Sequence, residues 1–78
     1  MQLEIITPDK KLYEGNVKSA IFPGAEGSFG VLNNHAATIS TLKKGVIELI
    51  EENDNKLSFE IAGGVAEVFK NKVIVLAD

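Results

Sequence analysis

The chain has 78 residues, a net charge of −3, no cysteine and one histidine. That length makes one domain, residues 1–78, and the composition excludes disulfides, thiolate metal ligands and a multi-histidine metal site. There is no arginine and the lysines are scattered, so nucleic acid is not an expected partner, since its binding needs concentrated basic charge. The apolar runs are far too short to span a membrane, and direct insertion is not expected. "QLEIITP" follows Met1 directly and reads as a strand rather than a leader peptide, which suggests a soluble, cytoplasmic chain. A domain this small, without staples, gains most from a partner surface.

In chain order, the residues predict strands almost throughout. Gln2–Ile6 opens, and "TPDK" then supplies Pro8 and Asp9 for a β-turn. Lys11–Tyr13 and Val17–Phe22 follow, with "EGN" at 14–16 short enough for a hairpin between them. Gly30–Leu32 and Thr38–Thr41 are shorter strands on either side of "NNHAA". "GVIELIEEN" sets Ile47, Leu49 and Glu51 against Val46, Glu48 and Ile50, a pattern a helix could also carry, but Gly45 and "NDN", whose residues tolerate left-handed backbone, bound it as a strand. "KLSFEIA" alternates cleanly, with Leu57, Phe59 and Ile61 on one face and Lys56, Ser58 and Glu60 on the other. Gly63 and Gly64 mark a tight turn or bulge, or else a place where a partner backbone comes close. Val65–Phe69, the "KNK" turn and "KVIVLAD" complete the chain. This last strand is apolar on both faces, as expected of a strand covered on both sides. Turn signals at this spacing, with no capped helix, predict an all-β sandwich or barrel.

The chemistry concentrates in "PGAEGSFGVLNNHA", Pro23 to Ala36. His35 titrates near neutrality and suits a general base, but no motif places a nucleophile or an orienting carboxylate beside it. The glycine spacing suggests an anion cradle, yet no Gly-Lys-Ser/Thr follows and Glu26 would repel phosphate. No catalytic, cofactor or metal residues are assigned. A lipoyl- or biotinyl-like carrier domain is the alternative from composition, with Lys56 or Lys72 as the modified lysine at a hairpin tip. Otherwise the loop is a binding surface, its apolar residues tucked under it or offered to a partner.

The ordered series "LEIITP", "G-x-V", "PG-x-EG-x-FGVL-x-x-HA" and "GG-x-AEV-x-x-x-x-V-x-V-L-A" spans essentially the whole chain. In it the sequence resembles the N-terminal domain of the F-type ATP synthase epsilon subunit. The resemblance implies a flattened β-sandwich of about ten short strands. It implies a non-catalytic rotor subunit without cofactor, binding gamma and the c ring and coupling proton translocation to ATP synthesis. Such a subunit lies peripherally on the cytoplasmic face of the bacterial inner membrane. Carried over by motif, Glu26, Ser28, Phe29 and His35 are candidate c-ring residues, and Gly63, Gly64 and Glu67 candidate gamma residues. Many members continue into two C-terminal helices, absent from these 78 residues, so the inhibition and ATP binding those helices provide are not expected here. "LNNHAA" also departs from the proline-containing turn common in relatives, with Asn33 and Asn34 supplying the turn instead.

Overall fold

The computed structural model describes residues 1–32 and 36–78. Among these it holds eight strands: β1 (Gln2–Ile6), β2 (Lys11–Gly24), β3 (Gly27–Leu32), β4 (Thr38–Leu42), β5 (Gly45–Glu51), β6 (Lys56–Ile61), β7 (Gly64–Phe69) and β8 (Lys72–Ala77). The all-β expectation holds. The count falls below ten because β2 runs 14 residues without a break. "EGN" is therefore no hairpin: Glu14, Gly15 and Asn16 pair with Glu4, Leu3 and Gln2. The ladder to β1 holds this stretch extended, a tertiary choice that overrides local turn chemistry.

The long strand serves both layers. Its first half pairs with β1, which continues parallel to β8, then β7 and β4. Its second half pairs with β5 on one side and β3 on the other, and β6 lies beyond β5. A single bridge, Gly24 to Leu42, ties the end of β2 to β4 and draws the layers together. The body measures 27 × 24 × 18 Å, the flattened shape expected.

Alternation dictates what lies between the layers. Leu3, Ile5, Val73, Val75, Ala66 and Val68 point inward from one layer, and Ala20, Phe22, Val31, Ile47 and Leu49 from the other. No polar side chain is buried among the described residues. Leu57 and Phe59 pack against this core half-buried, as their period predicted.

The predicted turns form where their chemistry allows. In the first, the Thr7 N–H donates to the Lys10 carbonyl at 2.8 Å, and the Lys10 N–H donates to Thr7 Oγ1 at 3.1 Å. "NDN" closes the β5–β6 hairpin with Asp54 left-handed at φ 69. Lys70 and Asn71 turn β7 into β8. Glu4 and Glu14 stand directly opposite each other on β1 and β2, an unfavourable pairing that Lys11 offsets by binding both carboxylates at 2.9 Å. The two bonds, Glu14's first, hold the Lys11 ammonium above its usual range.

Gly64 is demanded by the backbone. Its φ is 147, and a Cβ there would lie 2.3 Å from the Leu76 carbonyl oxygen and 2.9 Å from the Ala77 Cα. The close approach belongs to the chain's own β8. We expect Gly64→Ala to cost about 2–4 kcal/mol. Gly30→Ala, whose Cβ meets only the Ala20 carbonyl oxygen at 3.8 Å, should change stability by about 0.5 kcal/mol or less. Urea denaturation of both variants checks the contrast.

One hydrogen-bonded group joins β2 to the β5–β6 turn. Tyr13 Oη donates to Glu51 Oε2 at 2.6 Å, Asn55 Nδ2 donates to Glu51 Oε1 at 3.0 Å, and the Tyr13 ring leans on Phe59 at 5.5 Å. Burial, then the bond to Glu51, pushes the Tyr13 phenol from 10.0 up to about 12. The bond from Tyr13, then that from Asn55, holds the Glu51 carboxyl below 4.5. A raised phenol pKa is stability present below pH 10.0 and lost as pH rises through about 12. A lowered carboxyl pKa is stability present above 4.5 and lost as pH falls through the depressed value. Tyr13→Phe should therefore flatten the alkaline loss, and carbon-detected titration should find the Glu51 carboxyl moved up toward 4.5. An unchanged Glu51 titration would contradict the linkage.

Candidate functional site: the β2–β3 hairpin and the adjoining outer face

β2 reverses into β3 through Ala25 and Glu26, with Gly24 paired to Gly27. The turn is tight enough to require its glycines. A Cβ on Gly24 would stand 2.5 Å from the Gly27 carbonyl oxygen, and Gly27 has φ 129. The tip is latched to β4 and its following turn: the Ala25 N–H donates to the Thr41 carbonyl and the Lys43 N–H to the Pro23 carbonyl, each at 2.9 Å. These bonds make a glycine-rich tip part of a rigid ladder.

The tip sorts its side chains. Phe29 faces inward against Phe22, ring centres 5.5 Å apart, and Val31 is fully buried behind it. Ala25, Glu26 and Ser28 are exposed. An open groove runs between the hairpin and β4, lined by Glu26, Ser28, the accessible part of Phe29, Ile39 and Thr41. Of the sequence-predicted ring residues, the structure thus gathers Glu26, Ser28 and Phe29 at one end of the domain. His35 lies outside the described residues.

The candidates in "GG-x-AEV" sit elsewhere. Gly63 is buried and Gly64 half-buried, both serving the crossing from β6 to β7. Glu67 is on the outer face of β7, between Ile39 of β4 and Ile74 of β8. The next row across the same strands is Thr41, Val65, Leu76 and Ile6. Ile39 is 74% exposed and Leu76 45%, with Phe69 nearby at 48%. Ile6, Val65 and Ile74 are half-buried. The described residues leave the outer face of β8 uncovered, which corrects the expectation of a doubly covered strand. Sequence reasoning missed these residues. The signal was in "KVIVLAD", apolar on both faces.

Among the described residues no group of histidine, cysteine, aspartate or glutamate is placed to hold a metal, and no helix is long and apolar enough to cross a membrane. Lys56 and Lys72 are the first residues of β6 and β8 and do not stand at hairpin tips, so the geometry of a carrier lysine is missing.

A latched hairpin tip beside an apolar sheet face that the described residues leave uncovered marks a small all-β domain. The family model for the beta-sandwich domain of the ATP synthase Delta/Epsilon chain matches residues 1–78. The chain is 44% identical over 78 residues to the ATP synthase epsilon chain of Campylobacter curvus, covering 100% of this chain and 60% of that protein. It is 46% identical over 77 residues to the epsilon chain of Campylobacter jejuni, covering 99% of this chain and 60% of that one. Among solved structures it resembles a chain in the cryo-EM structure of the Euglena gracilis mitochondrial ATP synthase, OSCP/F1/c-ring. There the TM-score is 0.89 at 27% identity, covering 96% of this chain and 48% of that one. The chain belongs to the ATP synthase delta/epsilon family through its β-sandwich domain. It spans 60% of the length of the curated relatives it matches.

The inward and outward residues of the hairpin should separate experimentally. Phe29→Ala, which opens a gap against Phe22, is expected to cost about 2–3 kcal/mol. Ser28→Ala, one residue away and exposed, should cost about 0.5 kcal/mol or less. Thermal unfolding of the two variants makes the comparison.

Proposed function

We propose that this domain belongs to a non-catalytic central-stalk subunit of an F-type ATP synthase, binding gamma and the c ring and coupling proton translocation to ATP synthesis. The observation that carries the reading is the uncovered apolar outer face of β4, β7, β8 and β1 in a chain matched along its whole length by the epsilon-type family model. An apolar face on a small domain is stabilised by a partner that covers it. In this reading gamma covers that face, with Glu67 in its midst, Gly63 and Gly64 shaping its edge, and Ile39 and Leu76 as its most exposed apolar residues. The hairpin tip faces the ring: Glu26 and Ser28 offer polar groups to polar loops, Phe29 lines the groove between them and β4, and His35 is assigned there by motif alone.

The two surfaces meet at β4. Ile39 both lines the hairpin groove and belongs to the outer face, and the tip is hydrogen-bonded to the end of the same strand. Force applied at the tip would pass into the sheet that holds gamma through backbone bonds, which suits a part that transmits torque. The domain would lie peripherally at the cytoplasmic face of the bacterial inner membrane, held there by the complex.

Co-purification with gamma and with the c ring tests the reading, and failure to join either would sink it. Ile39→Asp and Leu76→Asp place a charge in the covered face and should weaken gamma binding about tenfold or more each, with the fold intact. Glu26→Lys should spare gamma binding and lower ATP synthesis driven by a proton gradient in the reconstituted enzyme.

A further inference from the structure

β6 is paired with β5 along one edge, and among the described residues no strand pairs with the other. The turn before it sets which backbone groups are free. The Glu51 N–H donates to the Asn55 carbonyl at 2.8 Å, the Asp54 N–H to the Glu51 carbonyl at 2.9 Å and the Asn55 N–H to Asn53 Oδ1 at 3.1 Å, so Glu51 turns both its backbone groups toward the β6 side. Antiparallel backbone groups alternate sides from there. Leu57, Phe59 and Ile61 turn theirs to Leu49, Ile47 and Gly45 of β5. Lys56, Ser58 and Glu60 turn their N–H and C=O groups to the open edge. The same three residues carry exposed side chains, while Leu57 and Phe59 are only half-buried on the core side.

We propose that this edge pairs antiparallel with the β6 edge of a second copy of the chain, on a two-fold axis through Ser58. In that register Lys56 faces the second copy's Glu60, and Glu60 its Lys56. On the core side Leu57 meets the second copy's Phe59, and Phe59 its Leu57. The free N–H and C=O groups of Lys56, Ser58 and Glu60 all find partners. "KLSFE" is thus complementary to its own reverse in charge, in apolar pairing and in backbone phase. Sliding the axis one residue leaves both charges without an opposite partner, and sliding it two sets Lys against Lys or Glu against Glu. A charged edge strand ordinarily discourages pairing, and here the same charges select one partner and one register. A strand-to-strand contact of this size is below a standard stable interface, so dissociation in the range of about 1 mM or somewhat tighter is expected. The contact does not depend on the rotor reading.

Sedimentation equilibrium and amide NMR spectra of the 78-residue chain, up to about 1 mM, test it. The wild-type chain should dimerise with concentration, with shifts concentrated in the amides of 56–61. Lys56→Glu and Glu60→Lys each turn both ion pairs into like charges and should weaken association about tenfold or more. The double variant K56E/E60K should restore it, and an equimolar mixture of the two single variants should form the mixed dimer. A wild-type chain monomeric across the range overturns the proposal. So do single variants that associate like the wild type, or a double variant that fails to recover.

Discussion

The ladder along β2 carries the rest of the structure. Its first half holds β1, and through β1 the parallel β8 and then β7 and β4; its second half holds β5, β6 and β3. A break at Glu14–Asn16 would leave two small sheets, each too poor in buried surface to persist alone. Continuity makes their inner faces one core, with Phe22 and Val17 of the shared strand fully buried in it. It also delivers the hairpin tip to one end of the body, where Gly24 bridges to Leu42.

That placement explains how a glycine-rich segment comes to be held in one conformation. Glycines usually loosen a chain, since they have most conformational freedom to lose. Here Gly24 and Gly27 permit a reversal that other residues would obstruct, and the bonds to Thr41 and from Lys43 hold the result in place. Phe29 and Val31 fasten the second limb from beneath, leaving Glu26 and Ser28 outward on an ordered backbone. The stiffness comes from the ladder, and the exposed chemistry is set on it.

The outer face of β4, β7, β8 and β1 has the opposite character. It mixes Ile39, Val65, Ile74 and Leu76 with Glu67 and Glu4. The face over β3, β2, β5 and β6 is mixed as well, with Leu32, Ile21 and Val46 exposed among Ser19, Glu48, Ser58 and Glu60.

Much of this was determined by the sequence alone. Alternation in "KLSFEIA" set Leu57, Phe59 and Ile61 on one face, because a strand's period of two admits no other arrangement once one face is buried. Turn chemistry placed "TPDK", "NDN" and "KNK", and the ordered motifs marked the family. Tertiary structure decided what local signals leave open. "EGN" has turn residues but lies inside β2, because pairing with β1 outweighs local preference. "KVIVLAD" is apolar on both sides, yet only the fold reveals that the described residues leave one side uncovered. The paired glycines read equally as turn or partner approach until β8 comes within 2.3 Å of where a Gly64 side chain would begin. In each case the deciding neighbour is distant in sequence, and a local pattern carries no record of it.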